Sequence, residues 1–142
     1  YKERLDFIEY YLYDKMDGKN IGLVVIDGLA DLVSDVNDIS ESNKATQKIM
    51  EWSARLNCHI VTVIHSNFGS DKPTGHLGSF LEKKAETQIQ LELNTVNRDL
   101  VTVSCKRSRG FSFDNFSFKV NQFGIPVIEG AAYDPLKDYK KF

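Results

Sequence analysis

Ile21-Gly22-Leu23-Val24-Val25-Ile26-Asp27-Gly28 is the stretch on which the fold turns. Five of the six residues before Asp27 are apolar, and most of those are β-branched. An uninterrupted run of this kind predicts a strand buried on both faces, as in a parallel sheet flanked by helices. An unpaired charge is costly inside a protein, so Asp27 belongs at the carboxyl end of the strand, where the sheet opens to solvent. Ligands of open α/β sheets bind at that end. The run therefore predicts an apolar strand that delivers one aspartate to a metal–phosphate site. The plainer alternative is that Asp27-Gly28 only starts a turn, as Asp-Gly pairs commonly do.

Upstream, residues 1–16 read as an amphipathic helix, with Tyr1, Leu5, Ile8 and Leu12 at helical spacing. Asp17-Gly18-Lys19-Asn20 ends it with turn residues. Downstream, Asp31, Asp35 and Asp38 follow Asp27. They read as a solvated acidic connector, because the segment lacks the alternating oxygen ligands and central glycine of a calcium loop. Asp38 and Glu41 start the next helix in the manner of a capping box. That helix covers residues 39–57, with Ala45, Ile49, Trp52 and Leu56 as its buried stripe. Residues 59–64 are a second β-branched strand, so strand, helix and strand form a βαβ unit with both strands parallel. The second strand ends on His65, Ser66 and Asn67, which should emerge beside Asp27. His59, His65 and His76 have no zinc-ligand spacing.

Residues 68–76 are a glycine-rich polar loop, and residues 77–85 a short helix. The pattern then changes to period two. Ile89, Leu91 and Leu93 alternate with Gln88, Gln90 and Glu92; Val101, Val103 and Cys105 share a face; Phe116, Phe118 and Val120 share another; and residues 125–128 make a fourth strand. These read as antiparallel hairpins that extend the first sheet. Cys105-Lys106-Arg107-Ser108-Arg109-Gly110 places three cations at a predicted hairpin tip. They either blunt an edge or form a cationic finger for a phosphate. Residues 131–142 read as a polar tail.

The chain has 142 residues and a net charge of −2, which suits one domain with one core. It offers no global electrostatic case for nucleic acid, so any such contact must be local. Cys58 and Cys105 read as small buried thiols of a reducing, cytoplasmic compartment. No apolar run reaches membrane-spanning length. The start at Tyr1, inside a predicted helix, suggests a fragment of something longer.

In order and spacing these features resemble the carboxyl-terminal half of a RecA-like P-loop ATPase core, nearest the RepA/DnaB-type helicases and the AAA-type ATPases of mobilisable elements. The likeness covers residues 21–128. Leu23-Val-Val-Ile-Asp27 looks like Walker B, and Val61-Thr-Val-Ile-His65-Ser-Asn67 like the sensor strand that reads the γ-phosphate. Gly75-His-Leu-Gly78 with Lys84-Ala-Glu-Thr87 resembles the segment after the DNA-facing loop, and the cationic stretch resembles the strand pair whose Lys and Arg reach a neighbouring subunit's γ-phosphate.

The resemblance implies an α/β fold with a RecA-like three-layer core over residues 1–130: parallel strands flanked by helices, with antiparallel hairpins added in the second half. It implies that Asp27 holds Mg2+, that Asp27, Gly28 and Asn67 bind nucleotide, and that His65 senses the γ-phosphate. Lys106 and Arg109 would act across a subunit interface, with Arg107 as the rival for that role. Phe68, Lys72 and His76 would face single-stranded DNA. A homo-oligomer, hexameric in the ring-forming members, and ATP as cofactor follow from the same likeness. One departure is large: no G-x-x-x-x-G-K-[ST] loop is present, so no glycine amides cradle phosphates and no P-loop lysine is supplied. ATP and Mg2+ are therefore expected only with a Walker A half from elsewhere, and the isolated chain should hydrolyse ATP negligibly. The alternative is a non-catalytic, degenerate RecA-like module kept for oligomerisation or docking.

Overall fold

A computed structural model of the chain describes residues 2–66, 70 and 72–129. It is mixed α/β, with a two-stranded parallel sheet and a four-stranded antiparallel sheet. Its contacts divide it into two compact units, Tyr1–Lys84 and Ala85–Phe142.

The first unit opens with helix α1, Lys2–Tyr10, and closes it with a π-helical turn, Tyr11–Lys15. That turn ends where Met16 N–H donates to the Tyr11 carbonyl at 3.0 Å. Of the expected stripe, Leu5 and Leu12 are buried and Ile8 packs against the same core, while Tyr1 lies outside the described residues. Strand β1, Leu23–Ile26, follows. A 3-10 turn, Leu29–Leu32, buries Leu29 and Leu32. Helix α2, Ile39–Leu56, starts as its sequence demands, with Asp38 accepting from the Glu41 N–H at 2.7 Å. The Glu41 carboxylate accepts from the Ser34 N–H and hydroxyl, and the Asp38 N–H donates to the Asp35 carbonyl at 3.0 Å. Asn57 ends α2 in the left-handed region, φ 47°. Strand β2, His59–Thr62, pairs parallel to β1 from Leu23↔His59 to Ile26↔Thr62. Helix α3, Gly75–Lys84, completes the unit.

The core of this unit lies on one face of the β1–β2 pair. Val24, Ile26, Ile60 and Ile64 pack there with Leu5, Leu29, Ala45, Ile49, Trp52 and Leu77. The other face holds Leu23, Val25, Val61 and Val63, and it is exposed; Leu23 is 58% and Val25 60% accessible. The expectation of a strand buried on both faces is corrected accordingly. Helices α1, α2 and α3 all contribute to the single core, so among the described residues only one face has a helical cover.

The second unit contains β3, Thr87–Leu93; β4, Leu100–Ser108; β5, Phe116–Val120; and β6, Pro126–Glu129. They form an antiparallel meander in the order β3-β4-β5-β6. Among the described residues these strands pair with one another and not with β1 or β2, which corrects the expectation that they extend the first sheet. Period-two patterning fixes which face of each strand is apolar, but it does not say which edge a strand will join. Cys58 is buried, Cys105 is half-buried, and both are free thiols.

Trp52 ties α2 to α1. Its ring is fully buried, and its Nε1–H donates to Glu9 Oε1 at 3.4 Å. Lys48 donates to the same oxygen at 2.5 Å. The Lys48 hydrogen bond is the main reason the Glu9 carboxyl sits below its ordinary value of 4.5, and it raises Lys48 above 10.5 in return. A lowered carboxylate contributes stability that is complete above the unfolded value and fades as pH falls through the folded one. Glu9→Gln should therefore cost about 1–2 kcal/mol at neutral pH. The deficit should shrink on acidification below the ordinary carboxylate range. Urea unfolding of both proteins at neutral and acid pH measures it.

Candidate functional site

Asp27 lies just beyond the carboxyl end of β1, and His65 beyond that of β2. The strands are parallel, so both residues emerge at the same end of the pair. The pairing continues past the strands proper: Val63 N–H donates to the Ile26 carbonyl at 3.0 Å, and Leu29 N–H to the Val63 carbonyl at 2.9 Å. These two bonds lock the turn after Asp27 onto the chain leading to His65. The Asp27–Gly28 peptide is cis. Asp27 and His65 are both exposed. Gly28 is in an extended conformation, and a Cβ there would meet only the Val63 carbonyl oxygen, at 3.6 Å. Space alone does not demand a glycine at that position.

His65 is fixed through its backbone. Its carbonyl accepts from Thr74 N–H at 3.1 Å and from the Thr74 hydroxyl at 2.9 Å. Ser66 and Pro73 form an antiparallel bridge one step further on. The chain thus leaves and returns at one point before entering α3. Lys72 is exposed before α3, and His76 is exposed in its first turn. Asn67 and Phe68, expected to touch nucleotide and DNA, lie outside the described residues.

The cations expected at a hairpin tip are placed otherwise. Lys106 and Arg107 lie within β4, and Arg109 directly after it, with its N–H donating to the Glu86 carbonyl at 2.9 Å. Gln88 pairs with Arg107 but Ile89 pairs with Cys105, so Lys106 is the extra residue of a β-bulge. Strict alternation after Val101, Val103 and Cys105 would put Arg107 on the apolar face. The bulge moves it to the polar face, opposite Gln88. Asp27 and His65 belong to the first unit and Lys106 and Arg109 to the second; each pair is placed only within its own unit.

A groove of about 840 Å3 borders Asp27, with Phe7, Tyr11, Leu23 and Val25 among its walls and Arg4 and Asp31 among its polar residues. Arg4 Nη1 donates to the Asp31 carbonyl at 2.8 Å and lies 3.8 Å from the Asp31 carboxylate. The α1 wall is absent from the expected site. Its signal was the aromatic pair Phe7 and Tyr11 at i, i+4, set off from the buried stripe; their ring centroids are 6.4 Å apart. Among the described residues no three His, Cys, Asp or Glu side chains gather as a metal cage. A magnesium ion carried mainly by phosphates and water takes only one or two carboxylates, and exposed Asp27 could supply one.

No protein-family model matches the chain, and neither does any curated protein.

Gly75 sets the entry to α3 with φ +67°, and a Cβ there would stand 2.6 Å from the Val36 carbonyl oxygen. Leu77 N–H donates to that same oxygen at 3.0 Å. Gly75→Ala should thus cost about 1–3 kcal/mol, from the left-handed strain and the displaced Val36 contact. Thermal or urea unfolding checks it.

Proposed function

We propose that this chain is the back half of an ATP-dependent DNA-processing motor with a RecA-like core, active only when a phosphate-cradling half completes it. The observation that supports this most is the parallel β1–β2 pair, which brings Asp27 and His65 out at one sheet end. That is where an α/β sheet binds ligands, and an aspartate with an imidazole at the same sheet end suits a magnesium-bound polyphosphate. In this reading Asp27 orients the metal's water shell and His65 contacts the terminal phosphate. Lys106 and Arg109 serve a neighbouring subunit of a homo-oligomer, and the chain through Lys72 and His76 faces single-stranded DNA. ATP and Mg2+ bind in the complete protein, whose three-layer core would also cover the exposed face of β1 and β2.

One observation favours a second reading, a docking module without turnover. His59 N–H donates to the Gly22 carbonyl and Val63 N–H to that of Ile26, so alternate residues of β1 address β2. The backbone groups of Leu23 and Val25 consequently point to the opposite edge. That edge runs along the apolar groove under α1 and has the form of a place for an added strand.

Turnover separates the two. The full-length gene product should hydrolyse ATP with magnesium, and faster with single-stranded DNA. Asp27→Ala should lower that rate by about 100-fold or more, the scale of a lost metal contact. Its circular dichroism and melting temperature should stay unchanged. A folded full-length protein that does not hydrolyse ATP, or an Asp27→Ala protein as fast as the parent, would overturn the motor reading.

A further inference from the structure

The register of the second unit sorts its side chains into two unlike faces. Ile89, Leu91 and Leu93 stand opposite Cys105, Val103 and Val101; Val103 and Val101 stand opposite Phe116 and Phe118; and Phe118 stands opposite Ile128. Directly paired residues share a face, so the paired residues of one face of the four-stranded sheet are apolar from edge to edge, with no charged residue among them. The other face holds Gln90, Glu92, Thr102, Ser117, Lys119 and Glu129. It is built for water: Lys119 pairs with Glu129 at 2.6 Å, Gln90 bonds Glu92 at 2.7 Å, and the Thr102 and Ser117 hydroxyls lie 3.3 Å apart.

Within the described residues of the second unit the four strands leave this face open apart from Phe113, whose ring centroid lies 6.0 Å from that of Phe116. Ile89, Leu91, Leu93, Phe116, Val120 and Ile128 are between 42% and 61% accessible, and only Val103, at the centre, is buried. Those six residues together expose about 600 Å2, at the upper end for the largest apolar patch of an ordinary monomer. With the half-covered Val101, Cys105 and Phe118 between them, the face approaches the ~800 Å2 that each partner of a standard stable interface buries.

We propose that this face is the contact surface of a homodimer, in which two copies of the antiparallel sheet pack apolar face to apolar face. The area is what a stable dimer needs. The absence of charge means that the match requires no complementary ion on a different partner, and the face is self-complementary, as a two-fold contact must be. Two such faces stacked about 10 Å apart form an ordinary β-sandwich core. The contact involves neither Asp27 nor His65, so it stands apart from the nucleotide reading.

The test uses the whole 142-residue chain. Sedimentation equilibrium should give a dimer that dissociates on dilution. Leu91→Lys should give a monomer of unchanged circular dichroism, whereas Glu92→Lys, on the polar face one residue away, should remain dimeric. A second readout needs no variant. Cys105 lies on β4, an inner strand, so face-to-face packing should slow its alkylation several-fold on going from ~1 µM to ~200 µM protein, as mass action requires for a dimer dissociating between those concentrations. Edge-to-edge pairing through β3 or β6 would leave that rate unchanged. A monomer at ~200 µM, a Leu91→Lys protein still dimeric, or a Cys105 rate independent of concentration overturns the proposal. If Leu91→Lys fails to fold, sedimentation and Cys105 alkylation of the unaltered chain decide it.

Discussion

Burying the Trp52 ring sets off a chain of requirements that organises the first unit. An indole removed from water needs a partner for its N–H. Glu9 on α1 supplies it, and a partly buried carboxylate in turn needs a cation, which Lys48 on α2 supplies one turn before Trp52. The three residues hold α1 against α2, and both helices then close over Val24, Ile26, Ile60 and Ile64. The position of β1, and with it the direction in which Asp27 leaves the sheet, follows from that closure. A short polar contact thus fixes the seat of a larger apolar one; the hydrophobic burial has the greater magnitude, but it lacks direction.

Strand faces impose the second constraint. An apolar face costs free energy wherever water reaches it, whatever the reason it is open. The run from Ile21 to Ile26 reads as buried on both sides because its residues are apolar on both sides. That reading concerns what the strand is made for. Leu23 and Val25 are exposed because the described residues provide helices for one face only. The same distinction applies to β3, β4 and β5, whose alternation correctly told the apolar side from the polar one but carried no information about what lies above it.

Local chemistry was therefore the legible part. Helix α2 ends at the limit expected for it, where Asn57 takes a left-handed conformation that few residues other than glycine tolerate. It starts where Asp38 predicted, because a carboxylate there satisfies an otherwise orphaned N–H. The convergence of Asp27 and His65 was legible from two apolar runs separated by one helix, since such a connection makes the strands parallel. The groove under α1 was signalled only by the i, i+4 spacing of Phe7 and Tyr11 away from the buried stripe, which does not say what those rings face. Phe7 and Tyr11 line it from a helix that ends in a π-helical turn and is held to α2 by the Glu9–Trp52 contact, and neither feature has a signal at the level of residue types. Strand partnership was not legible, because edge choice depends on contacts distant in sequence.

Lys106 shows how far one inserted residue can change a reading made from spacing. Counted along the chain, Lys106, Arg107 and Arg109 form a cluster, and a cluster between two strands suggests a tip. In the sheet the count is interrupted: two residues of β4 stand where β3 provides one. Without that bulge Arg107 would follow Cys105 by two and fall on the face of Val101, Val103 and Ile89, where a guanidinium would interrupt the apolar surface. With it, Arg107 stands opposite Gln88 on the wet side, and the apolar face stays free of charge to the end of the strand. The bulge thus serves both surfaces at once. It places Arg107 on the polar side, opposite Gln88. It also leaves the opposite face uniformly apolar, as a packed sheet-on-sheet contact would need.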